Sequence, residues 1–185
     1  PEDRRAGLRR ICNMLTREGL TSVHDARVTA DELITYQEGK EAGDLNLRVY
    51  MLMFHPHFPA LRDAGLKTGF GDDMLRLGGI KMVADGAIAT RTAYMSEPYE
   101  GSEDDCGILA MDVDEIEPLV MDIHKAGFQV AVHANGDTAI DMVLNAYAKA
   151  QEAYPRHDPR HRIEHCTLVN PDILRRMKRL GTVAT

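Results

Sequence analysis

The residues equipped for chemistry fall in four places: His24 with Asp25, Lys81 with Asp85, His133 with Asp137, and Glu164 with His165. Each lies in or at the end of a predicted strand, as in VAVHANGD at 130–137. Imidazoles and carboxylates are donors for Zn²⁺ and similar cations. A bound metal lowers the pKa of water to about 7 and polarises a carbonyl, which is the equipment of hydrolysis. A histidine at a strand end also serves as a hydrogen-bonded structural group. For His133 and His165, which end consecutive apolar runs, the metal-ligand reading is preferred. Asp137 is placed to cap the helix that follows, or else to support the ligands from behind. Glu164 and His165 are adjacent, so in a strand they point to opposite faces. The inward side is assigned to His165, with Glu164 steadying it from behind.

Lys81 lies in an apolar strand, where an ammonium without a partner is costly. One reading is a buried ion pair with Asp85 or Glu164; the other is a modified or metal-associated lysine. His55-Pro56-His57 looks like a metal motif, but Pro56 points to a loop leaving a strand. Arg91 and Asp85 border the long polar loop 86–112 and are candidate substrate contacts. A solvated loop is an equal reading of Arg91.

These groups need elements to position them. The sequence predicts a helix up to Gly19 carrying Leu8, Ile11, Cys12 and Leu15, then a strand from Thr21 to Asp25. A helix over Ala30–Glu41 with Leu33, Ile34 and Gln37 on one side follows, then a strand over Asn46–Phe54. Residues 55–79 hold one short helix, and a third strand runs from Ile80 to Ala84. Asp112 and Glu115 have capping-box spacing, and Ile116, Leu119, Val120 and Ile123 form a stripe ended by Gly127. Strands at Phe128–His133 and Arg162–Cys166 flank a helix over Thr138–Tyr154. Asn170 caps a last helix, with Pro171 first and Leu174, Met177 and Leu180 facing inward; a sixth strand opens after Gly181. Strict alternation implies parallel strands joined by right-handed crossovers. That leaves part of a (β/α)8 barrel or an open doubly wound sheet. No glycine-rich phosphate fingerprint opens the first crossover, so the barrel is preferred. Either fold gathers its chemistry at the carboxyl ends of the strands.

The 185 residues suffice for one domain, taken as 1–185. A formal net charge of −7 argues against a general nucleic-acid binder. No apolar run of about 18 residues predicts a membrane span. Three scattered cysteines, Cys12, Cys106 and Cys166, fit free thiols in a reducing cytoplasm. The opening without Met and the strand-like ending predict a piece of a longer protein. Its two sheet edges would favour self-association or a homo-oligomer.

GIKMVADGAIATRTAYMSEPY at 79–99, VHANGDTAIDMVLNAY at 132–147 and HRIEHCTLVNPDILRRMKRLGTVAT at 161–185 resemble the amidohydrolase superfamily. More narrowly they resemble amidohydrolase family 3, which includes YtcJ-like proteins and N-substituted formamide deformylases. GLTSVHDA fits that family's second strand. The resemblance implies a (β/α)8 barrel of which this chain holds strands two to seven. It implies metal-binding histidines at His133 and His165, and a lysine at Lys81 that bridges or supports a second ion. It further implies one or two divalent metals, zinc by preference, attack of hydroxide on an amide or related C–N bond, and a small-molecule substrate. The family's HxH pair on strand one and aspartate on strand eight have no counterpart here, so the general base is expected outside the chain and the isolated piece is expected to be inactive. A non-catalytic binding or assembly module with the same barrel is the rival reading.

Overall fold

The computed structural model describes residues 2–185, apart from the side chain of Glu2. The chain packs as two compact units, 1–80 and 81–185, whose boundary falls inside the third strand. Strand neighbours follow chain order, β1-β2-β3 in the first unit and β3-β4-β5-β6 in the second.

The first unit holds α1 (Glu2–Arg17), β1 (Ser22–Val28), α2 (Ala30–Glu41), β2 (Arg48–Phe54), α3 (Phe58–Asp63) and most of β3 (Leu75–Val83). β1 and β2 pair in parallel from Ser22 opposite Arg48, with a bulge between Ala26 and Val28. The expected stripe on α1 is narrower than drawn: Leu8 and Cys12 are buried, whereas Ile11 is half exposed. On α2 the predicted face is also shifted, since Ile34 points to solvent and Gly39 is the buried position. Thr29 and Glu32 form a reciprocal capping box that starts α2, a device that contributes about 1 kcal/mol. His55-Pro56-His57 is a single 3-10 turn leaving β2, as the proline implied. β3 begins at Leu75, five residues before the predicted start. The Gly78-Gly79 pair hides it in the sequence. At Gly78 a Cβ would stand 2.1 Å from the Tyr50 ring, so only glycine lets that ring lie across the strand and donate its hydroxyl to the Gly78 carbonyl.

The second unit holds the end of β3, α4 (Val113–Lys125), β4 (Gln129–Ala134), α5 (Asp137–Ala153), β5 (Arg162–His165), α6 (Pro171–Leu180) and β6 (Val183–Ala184). Parallel pairing joins β4 to β5 and β5 to β6. Asp112 and Glu115 cap α4 in the predicted box. Its stripe of Ile116, Val120 and Ile123 is fully buried, as are Ile140, Val143, Leu144 and Tyr147 on α5. Each such aliphatic side chain contributes about 1.5–3 kcal/mol. Asn170 caps α6 through the amides of Asp172 and Ile173, with Pro171 first and Gly181 left-handed at its end. The inward face of α6 is Ile173 and Met177; Leu174, expected inward, is mostly exposed. No helix among the described residues is long and apolar enough to cross a membrane.

Candidate functional site

β4 buries Val130, Val132 and Ala134 completely, and alternation turns His133 to the other face. The His133 Nε2 lies 2.8 Å from the Gly86 carbonyl oxygen. A carbonyl only accepts, so this contact places the ring proton on Nε2 and leaves the Nδ1 lone pair available. A metal-bound histidine is held in this way, its second nitrogen donating to a carbonyl or carboxylate.

His165 ends β5. Register sets His133 opposite Glu164, so Glu164, not His165, shares the strand face of His133. The expected inward–outward assignment therefore fails within the regular strand. It is recovered at its last residue, where His165 takes φ 73° and the bend returns its ring to His133. The two ring centroids stand 4.6 Å apart at 75°. A left-handed backbone at a non-glycine residue is costly and gathers at functional positions. Desolvation, then the neighbouring His133 ring and the Lys81 ammonium, pushes the His165 pKa down, which favours the neutral imidazole a cation requires.

Lys81 is buried on β3, its Nζ 2.6 Å from the Met82 carbonyl. Of the two carboxylates weighed as its partners, Glu164 forms a two-pronged pair with Arg162 at 2.7 and 3.0 Å. Glu164 also acts on His165 through its charge, which opposes the lowering of the His165 pKa.

Asp85 is fully enclosed. One oxygen accepts the Asn135 amide at 3.0 Å; the other accepts Gly136 at 2.8 Å and Tyr94 at 3.0 Å. Its carboxylate is thus held by three backbone amides and clamps the 92–94 loop onto the start of α5, with Nε2 of His133 3.8 Å from one oxygen. Gly136 belongs to the same clamp, since a Cβ there would meet the Tyr94 carbonyl at 1.9 Å. Asp137 does not cap α5 with its side chain: Gly136 is the N-cap, and Asp137 reaches out to the Ser96 amide at 2.9 Å and hydroxyl at 2.5 Å. Arg91 turns back on its own loop, donating to the Glu100 carbonyl and lying 5.6 Å from the Tyr99 ring centre.

Sequence reasoning missed Asn135. It is buried, and its side chain spans Gly86, His133 and Thr167. The available signal was an amide directly after an apolar strand, where a buried polar group must find partners. A pocket of about 460 Å³ opens alongside, lined in part by Ser96, Glu97, Asp137, Thr167 and Asn170.

Among the described residues no group of three or more His, Cys, Asp or Glu is arranged to hold a metal ion. What the chain offers is a pair of close imidazoles, one with its outer nitrogen already engaged by a carbonyl. That pair fits half of a tetrahedral donor set.

Fold and strand-end chemistry together define part of an α/β barrel of the metal-dependent hydrolase type. All 185 residues match one family model, and the chain belongs to the amidohydrolase family. Protein LONG AFTER FAR-RED 3 of Arabidopsis thaliana is 30% identical, matched over 100% of this chain and 33% of its own length. N-substituted formamide deformylase of Arthrobacter pascens is 29% identical over 88% of this chain and 31% of its own. An uncharacterized metal-dependent hydrolase from Pyrococcus furiosus superposes with a TM-score of 0.85 at 32% identity, covering 95% of this chain and 36% of that one. The chain thus spans about a third of the length of the relatives it matches.

Proposed function

We propose that this chain supplies part of the metal site of a hydrolase that cleaves an amide or other non-peptide C–N bond. His133 and His165 hold one divalent cation, zinc by preference, and Lys81 bridges to or supports a second. The observation that carries this reading is the pair of rings 4.6 Å apart, with Nε2 of His133 on the Gly86 carbonyl. The likeness to a formamide deformylase supports the C–N bond class. When bound, the cation supplies Lewis acidity and an acidified water. The chain's own residues orient the two imidazoles and favour the neutral form of His165, and the 92–98 loop and the turn after β5 border a small-molecule substrate. The general base and the remaining ligands come from elsewhere in the whole protein, so the isolated chain is inactive.

Metal content tests this. Purified wild-type chain retains zinc after exchange into zinc-free buffer, and His133→Ala and His165→Ala lose it. Undiminished zinc in both variants would defeat the assignment.

One observation favours a second reading, a non-catalytic binding or assembly module: no three-ligand cluster exists among the described residues. An HxH upstream and an aspartate downstream in the full-length product decide for the enzyme. Self-association through the outermost strands, β1 and β6, is proposed with either reading, and light scattering reads it. A reducing cytoplasmic setting is proposed from the three free cysteines.

A further inference from the structure

We propose that Asn135 is a positioning residue that decides which nitrogen of His133 faces the cation; this rests on the metal-site reading above. The Asn135 carboxamide is held at both ends. Its Oδ1 accepts the Thr167 hydroxyl at 2.5 Å, and its Nδ2 donates to the Gly86 carbonyl at 2.8 Å. The carbonyl fixes the amide orientation, because a flipped amide would set two acceptor oxygens against each other. The NH2 group so aimed stands 3.1 Å from Nε2 of His133.

Three atoms therefore form a closed triangle: the Gly86 oxygen, Nε2 of His133 and Nδ2 of Asn135. The oxygen has two lone pairs and takes one hydrogen from each nitrogen. The Nε2 edge of the ring is thus filled by the Gly86 carbonyl and the Asn135 NH2, with Oδ1 of Asp85 3.8 Å away, so a cation has no room at that nitrogen. Nδ1 is left as the face for the metal. The Thr167 hydroxyl, on the turn after β5, keeps the amide from rotating out. Two backbone bonds hold the same turn: Leu168 donates to the Asn135 carbonyl at 2.9 Å and Cys166 to the Ala134 carbonyl at 3.1 Å. The ring choice at β4 is thereby tied to the turn that follows His165.

The test reads the ring itself, by long-range ¹H–¹⁵N correlation of His133 in metal-free chain, and zinc affinity by competition with a chelator. Wild type is expected to show the Nε2–H form alone. Asn135→Ala is expected to give a mixture of both ring forms and a zinc dissociation constant raised about tenfold or more, the usual effect of losing a group behind a ligand. Should Asn135→Ala fail to fold, Thr167→Val shows the same changes in smaller degree and Thr167→Ser restores both. A wild-type ring protonated on Nδ1 overturns the proposal. So does a folded Asn135→Ala with the wild-type ring form and zinc affinity, or a Thr167→Val indistinguishable from Thr167→Ser. A wild type with the Nε2–H form and no zinc binding sinks the metal site and leaves the positioning of the ring standing.

Discussion

His124 and His161 are hydrogen-bonded to each other, Nδ1 to Nε2 at 2.8 Å, with both rings sealed from solvent. The Val130 amide donates to Nδ1 of His161 at 3.0 Å, so that nitrogen carries no proton. His161 then donates from Nε2 to His124, which donates in turn to the Tyr154 carbonyl at 2.7 Å. Every ring nitrogen has a partner only while both rings are neutral. Burial first, then His124 and Arg156, pushes the His161 pKa down to about 3, and burial also lowers that of His124.

That relay makes stability depend on pH. The unfolded chain binds these protons below about 6.5, whereas the folded chain refuses the His161 proton until about pH 3. Protons therefore favour the unfolded state across that window. Stability is full above pH 6.5 and falls as pH drops towards 3, by a few kcal/mol at about 1.4 per unit. Urea unfolding at pH 7 and pH 4.5 should show the loss. His161→Gln can still accept from Val130 and donate to His124, and it does not titrate, so its pH dependence should be much flatter. An equal slope in the variant would assign the acid sensitivity to other groups.

Asp85→Asn tests the clamp. The substitution removes the charge and turns an NH2 towards backbone donors, leaving one or two of the Tyr94, Asn135 and Gly136 amides without an acceptor. A loss of about 2–3 kcal/mol is expected in denaturant unfolding. Gly136→Ala should cost at least as much, because the new methyl collides with backbone at Tyr94. If Asp85 instead served a substrate, Asp85→Asn would leave the unfolding midpoint unchanged.

Much of this architecture was legible. Capping at Asp112 and Asn170, breaks at Gly127 and Gly181, and the apolar run at 130–132 are local signals, and they placed α4, β4 and α6 within a residue or two. Legibility failed where a tertiary contact overrode the local rule. β3 was cut short because Gly78 makes room for Tyr50. Strand alternation alone sets Glu164 beside His133, and His165 rejoins His133 only through its φ of 73°, which no strand rule encodes. Asp137 has the chemistry of a cap but finds Ser96, 41 positions earlier, which no local pattern encodes. The same holds for Asn135, whose partners lie after β3, on β4 and on the turn after β5.

The Arg162–Glu164 pair gives the last test. Both side chains are nearly sealed, at 6% and 11% exposure, and they meet through two parallel bonds on one face of β5. Bringing two charges out of water roughly cancels their attraction, so the pair adds little net stability. Removing one partner is another matter, since a buried charge is left behind. Glu164→Leu alone is expected to cost about 3–5 kcal/mol, whereas Arg162→Leu with Glu164→Leu should recover most of that loss. A double-mutant cycle by urea unfolding reads the difference. If Glu164 mainly steadied His165, the double variant would stay as damaged as Glu164→Leu in zinc affinity. With Glu164 committed to Arg162, zinc affinity should follow the folded fraction and recover with it.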